Sequence, residues 1–206
     1  MFYETAGNAH GLPHDPFKAI VAPRPIGWIS TLNSDGVPNL GPYSFFSAIS
    51  SRPNMIGFTS DTLKHSARNA MENGEFVFNL STVDLLHEMN KSSEEVEDGV
   101  NEFELAGLEA APSKMVKPPR VAAAVAALEC RTTFSQALLN LDGKETGGYQ
   151  VIGQVVATYI DDRLIKDGRF DTAAARPLGR CGYRDYAGVE SVFELLRPTD
   201  PGKVIR

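Results

Sequence analysis

Hydrophobic and polar positions alternate most cleanly in Glu75-Phe76-Val77-Phe78-Asn79-Leu80, the two-residue period of a strand with one buried face. Upstream, the apolar and β-branched runs Ile26 to Leu32 and Val37 to Tyr43 flank Asn33-Ser34-Asp35-Gly36, which is hairpin turn chemistry. Another apolar run, Phe45 to Ile49, stops at Ser50-Ser51-Arg52-Pro53-Asn54, where Pro53 and Asn54 mark a turn, and Met55 to Thr59 resumes as a strand. From Leu63 to Asn73 the period lengthens. Leu63, Ala67, Ala70 and Met71 share one helical face, Asp61 or Thr62 is available as N-cap, and Gly74 closes the helix. A second helix is predicted from Val83 to about Lys91.

Elsewhere the pattern is less regular. Residues 1 to 16 carry Gly, Pro, Asn and Asp without periodicity and read as an N-terminal arm. Arg24 between Pro23 and Pro25 fixes the entry to the first strand. Residues 92 to 120 are acidic and proline-containing, an excursion from the sheet with room for one helical turn. Val121 to Leu128 is helical by alanine propensity, but Cys130 to Phe134 and Gln150 to Ile160 are β-prone, so most of the chain after Val125 is expected to join the sheet. The turn between these strands falls around Asp142-Gly143 or Thr146-Gly147-Gly148. A last strand is predicted at Ser191 to Leu196, closed by Arg197-Pro198. Many short strands, two or three helices and frequent Gly/Pro turns point to a single domain over 1–206, mainly β with helices, as a small barrel rather than a doubly wound sheet.

Composition narrows the class of partner. The 206 residues are 42% hydrophobic and include eleven Phe, enough for a core that folds without staples. A formal charge of -6, with basic residues scattered, argues against nucleic acid or an anionic membrane as the main partner. Cys130 and Cys181 lie far apart and outside CxxC spacing, so neither a disulfide framework nor a zinc site is indicated. No basic region with an apolar run opens the chain, and no window approaches the roughly 18 apolar residues of a spanning helix. A cytoplasmic location is expected. His10 and His14, four apart in the arm, lack a third ligand, so no metal site is assigned.

The candidate chemistry gathers where a strand hands over to a helix. A helix N-terminus offers free backbone N–H groups and a favourable dipole to an anion. Thr59-Ser60-Asp61-Thr62-Leu63-Lys64-His65-Ser66 adds four hydroxyls and a cation at that junction, although the same residues also suit an ordinary helix cap. Ser30 and Thr31, late in the first strand, and Ser44 and Ser47 are candidates to line the same pocket. Trp28 and Cys130 read as core, His87 as surface, and Cys181 as a loop thiol.

Arg24-Pro25-Ile26-Gly27-Trp28-Ile29-Ser30-Thr31, Pro38-Asn39-Leu40-Gly41-Pro42-Tyr43-Ser44-Phe45-Phe46, Lys64-His65-Ser66-Ala67-Arg68-Asn69 and Gly74-Glu75-Phe76-Val77-Phe78-Asn79 together resemble the flavin reductase-like family of FMN-binding split β-barrels. Pro177 to Tyr186 resembles the segment that follows the last long strands in that family. The resemblance implies a homodimer with non-covalently bound FMN. It places the isoalloxazine ring against Tyr43, Ser44, Phe45 and Phe46, with Ser30, Thr31 and Ser47 nearby, and the phosphate on Ser60, Lys64, Ser66 and Asn69. Many relatives read Lys-Asp-Thr where this chain has Lys64-His65-Ser66. Serine keeps the hydroxyl, while histidine removes a carboxylate and offers partial positive charge beside the phosphate.

The implied activity is hydride transfer from NADH or NADPH to FMN and on to an unidentified electron acceptor. The cofactor carries the chemistry, so no acid–base pair is required of the protein. With no GxGxxG loop after a strand, the nicotinamide would dock only transiently. Two alternatives are a flavoredoxin-like FMN electron carrier reduced by a protein partner, and a flavin-free split barrel holding pyridoxal phosphate or haem.

Overall fold

The computed structural model describes residues 1–196 and 198. Seven strands form one antiparallel sheet: β1 (Gly27–Leu32), β2 (Pro38–Tyr43), β3 (Phe46–Ser51), β4 (Asn54–Ser60), β5 (Glu75–Leu80), β6 (Ala126–Leu139) and β7 (Glu145–Ile160). Their order across the sheet is β2-β1-β5-β6-β7-β4-β3. Three helices bear on the site: α1 (His65–Glu72) between β4 and β5, α2 (Leu86–Lys91) after β5, and α3 (Glu102–Leu105) within the excursion.

Local chemistry explains the turns. Asn33 closes the β1–β2 hairpin, its Oδ1 accepting from the N–H groups of Asp35 at 3.0 Å and Val37 at 2.9 Å. Asn140 repeats the device between β6 and β7, accepting from Asp142 at 3.0 Å and Lys144 at 2.9 Å. The β6–β7 turn is therefore at Asn140–Lys144, and Thr146-Gly147-Gly148 lies within β7. Gly74 ends α1 at φ +71°, a conformation that side chains other than glycine rarely adopt.

The sheet folds over its own aromatic face. Register places Phe46, Phe58 and Val151 in one row across β3, β4 and β7. Phe46 stacks on Phe78 of β5 with centroids 4.8 Å apart and planes within 3°, so the β3 edge sits back over the other half of the sheet. Gly27 makes this approach possible, since a Cβ there would lie 2.4 Å from Phe46 Cδ2. Ile29, Phe58, Phe76 and Val151 fill the interior. Among the described residues the edge strands β2 and β3 do not pair, so the sheet is not closed into a barrel.

A second core lies on the outer side of β1 and β2, where Trp28, Leu40, Met89, Phe103 and Val121 pack together. The excursion of residues 92–120 covers this side. Trp28 Nε1 donates to Ser92 Oγ at 2.9 Å, Val121 N donates to Asn79 Oδ1 at 2.7 Å, and Glu129 accepts from Lys114 N at 2.9 Å and Met115 N at 2.6 Å. β1 is thus buried on both faces.

Three expectations change. Neither Asp61 nor Thr62 caps α1. Lys64 occupies that position, because its N–H first turns back to Thr62 O at 2.8 Å. The strands are not all short, since β6 and β7 run 14 and 16 residues. The Ser191 to Leu196 segment has no regular structure and is exposed, and Arg197 falls outside the described residues. Among the described residues the last strand is Tyr186–Gly188, which pairs with Leu178–Arg180, itself paired with Arg24–Pro25.

Candidate functional site

A cleft of about 520 Å³ opens where β4 passes into α1. One wall is the end of β2 with Tyr43, Ser44 and Phe45, the floor is the Thr59–Ser66 junction, and the Ser92–Val96 turn of the excursion forms the far rim. Lys18 reaches the Phe45 wall from a helical turn, Phe17–Ile20, its Nζ 5.5 Å from the ring centroid. Buried Arg24 anchors that turn by donating to the carbonyls of Lys18, Val21 and Cys181.

The floor is rich in donors. The first helical N–H with an acceptor is that of Arg68, bonded to Lys64 O at 3.0 Å, which leaves the amides of His65, Ser66 and Ala67 without one inside the helix. Ser60 Oγ is buried and has no hydrogen-bond partner. It faces the Tyr43 phenol without reaching bonding geometry. A buried hydroxyl without a partner costs stability unless something else satisfies it. Lys64 stands half-exposed on the rim, 3.6 Å from Glu95. A phosphate fits this set of free amides, an unpaired hydroxyl and a cation.

Below the floor lies a buried polar chain. Glu102, only 4% exposed, accepts from Asn39 Nδ2 at 2.7 Å through Oε1 and from Leu40 N at 3.1 Å through Oε2. Asn39 Oδ1 accepts from Ser66 Oγ at 2.7 Å and from Thr31 Oγ1 at 3.1 Å, and Thr31 Oγ1 accepts in turn from Asn69 Nδ2 at 3.1 Å. Burial raises the Glu102 carboxyl above its ordinary value, opposed by these hydrogen bonds and by His65. Burial likewise raises the Tyr43 phenol above its ordinary value.

Of the predicted site residues, Tyr43, Ser44, Phe45, Ser60, Lys64 and Ser66 line the cleft together. The other five do not. Thr31 and Asn69 lie beneath the floor as links of the polar chain. Ser30 is fully buried and ties β1 to the excursion by donating to Pro119 O. Phe46 is taken up by its stack on Phe78. Ser47 is exposed and donates to the adjacent Ala48 O. Lys18, Asn39 and Glu102 line the cleft without having been singled out.

Residues 21–174 match the family described as flavin reductase like domain. The chain belongs to that family. An uncharacterized protein of Halalkalibacterium halodurans is 34% identical over 186 residues, covering 87% of this chain and 88% of that protein. Among solved structures, nitrilotriacetate monooxygenase component B from Bacillus cereus superposes with a TM-score of 0.85 at 26% identity, covering 95% of this chain and 98% of that one. The 2-nitrobenzoate 2-nitroreductase NbaA of Pseudomonas fluorescens gives 0.82 at 25% identity, with 97% of each chain covered. The fold of this flavin reductase-like domain is therefore the split barrel of its structural neighbours, and its family supports a flavin as the cofactor class. Among the described residues no helix is long and apolar enough to cross a membrane.

Proposed function

We propose that this flavin reductase-like domain binds FMN in the cleft and serves as an NAD(P)H-dependent oxidoreductase that passes reducing equivalents to a second acceptor. The observation that carries the reading is Ser60: a buried, unpartnered hydroxyl beside three free helix amides and Lys64 is what a phosphate monoester satisfies. Bound FMN would supply a ring that accepts hydride and releases electrons singly or in pairs. The protein's part is binding and orientation. Ser60, Lys64 and the amides of His65, Ser66 and Ala67 hold the phosphate. Tyr43, Ser44 and Phe45 form the wall for the ring, and Lys18 adds positive charge beside Phe45. The similarity to a monooxygenase component and to a nitroreductase supports a reductive role.

The visible spectrum of the protein reconstituted with FMN, before and after anaerobic NADH and then NADPH, tests the reading. Rapid bleaching by either nucleotide is expected and identifies the donor. A bound flavin that neither nucleotide bleaches makes the protein a carrier that takes electrons from a protein partner, and failure to retain FMN at all refutes the assignment.

We further propose a homodimer. Exposed Ile49 and Phe134 lie on the outer side of the sheet, with Leu138, Leu139 and Leu141 toward the end of the β6–β7 hairpin, an apolar surface suited to a second copy. Sedimentation equilibrium at micromolar concentration is expected to give twice the 22.4 kDa chain mass, and a monomer there would refute it.

A further inference from the structure

With Glu102 ionised, the polar chain under the cleft has a fixed direction, set by the two hydrogen bonds its carboxylate accepts. Leu40 N can only donate, so Glu102 Oε2 accepts, and an ionised carboxylate likewise takes only a donor at Oε1. Asn39 must therefore turn its Nδ2 toward Glu102, which directs its Oδ1 at the two hydroxyls. Thr31 already accepts from Asn69, and its own hydrogen goes to Asn39 Oδ1. Ser66, at the shorter contact of 2.7 Å, has spent its single hydrogen in the same way. What Ser66 Oγ retains is lone pairs.

From this we infer that Glu102 is a positioning residue that sets the hydrogen-bond polarity of the cleft floor: through Asn39 it holds Ser66 as an acceptor, leaving Ser60 as the floor's donor hydroxyl. Building on the FMN reading above, the phosphate takes the hydrogen of Ser60, and Ser66 receives one from a hydroxyl, either the Tyr43 phenol beside it or the sugar-alcohol chain of the flavin. The two serines that flank Lys64 are chemically alike in sequence and opposite in function. Glu102, five residues beyond the Glu94–Glu97 part of the acidic excursion, works through the interior and not through its surface charge.

Replacing Glu102 by glutamine keeps its shape and reverses the chain. With the glutamine oxygen in the place of Oε2 accepting from Leu40 N, the new amide nitrogen in the place of Oε1 donates to Asn39 Oδ1, the Asn39 amide flips, and Ser66 regains a hydrogen for the cleft. The test compares affinities for FMN and for riboflavin, which lacks the phosphate, in the wild type, Glu102→Gln, Ser66→Ala and the double variant. Ser66→Ala is expected to weaken both flavins by the same factor, roughly threefold for one neutral hydrogen bond. Glu102→Gln is expected to raise the preference for FMN over riboflavin by about fivefold, and Ser66→Ala is expected to abolish that gain. A gain that persists in the double variant reflects only the lost negative charge and overturns the inference. So does a Ser66→Ala change that reduces the wild-type preference for FMN.

A readout without ligand separates this inference from the FMN reading. In the unliganded protein the side-chain amide signals of Asn39, assigned by Asn39→Asp, are expected to move on Glu102→Gln, and unchanged Asn39 signals overturn the inference. If the FMN reading itself fails, Lys64→Ala leaves the ratio of the two flavin affinities unchanged while the Asn39 signals still respond.

Discussion

Phe76→Ala is expected to remove about 3–5 kcal/mol of folding stability, the range for deleting a buried aromatic side chain from a core that cannot collapse onto the gap. The ring is fully buried, meets Phe58 edge-on at 5.5 Å, and lies against the backbone of Gly153, where a Cβ would sit 2.5 Å from Phe76 Cε1. Its neighbours belong to hydrogen-bonded strands on two halves of the folded sheet, so relaxation into the space would require those strands to shift together. Urea denaturation should show a lower midpoint with an unchanged slope. Phe193→Ala is the comparison: that ring is 91% exposed, and its loss should cost less than about 1 kcal/mol. Equal effects at both positions would place the core wrongly.

Lys64→Ala should weaken FMN about tenfold and leave riboflavin untouched. A cationic contact to phosphate contributes roughly 1.5–3 kcal/mol. The lower end applies here, because the Lys64 side chain is 52% exposed and must leave Glu95, 3.6 Å away, to reach the ligand. Titration of flavin fluorescence at two salt concentrations checks this, the wild-type advantage for FMN shrinking as salt rises. Equal weakening of both flavins would move the phosphate away from the α1 terminus.

The parts of this architecture that were legible in the sequence are those with local causes. The strand at Glu75–Leu80, the Asn33 turn and the Gly74 stop each depend on a few adjacent residues and stand where the pattern puts them, although the strand is buried on both faces, through Phe76 and Val77, and not on one. The strand-to-helix junction was legible for the same reason, because Ser60, Lys64 and Ser66 are close in the chain. Asn39 and Glu102 were not. Asn39 is an unremarked polar residue of β2, and Glu102 follows a run of carboxylates that reads as solvated surface. Its burial comes from the docking of α3, where the adjacent Phe103 packs against Trp28 and Leu40. The sequence pattern drew Thr31 into the site and the family resemblance drew in Asn69, whereas their side chains face the layer below it. Phe46 lies outside the cleft lining for a different reason: its stack on Phe78 follows from the sheet folding back on itself, a long-range event with no local trace.

The walls of the cleft come from residues 18, 39–45, 59–66, 68, 92–96 and 102, segments that meet only through Arg24, the β-sheet and the docked excursion. No contiguous piece of the chain contains the recess, so a partly folded molecule has nowhere to bind a ligand. Occupancy and native structure are thereby linked by mass action, and free ligand at one hundred times its dissociation constant would deepen the native well by about 2.7 kcal/mol. The supply of cofactor in the surroundings would in this way set how long the polypeptide survives, as well as how fast it works.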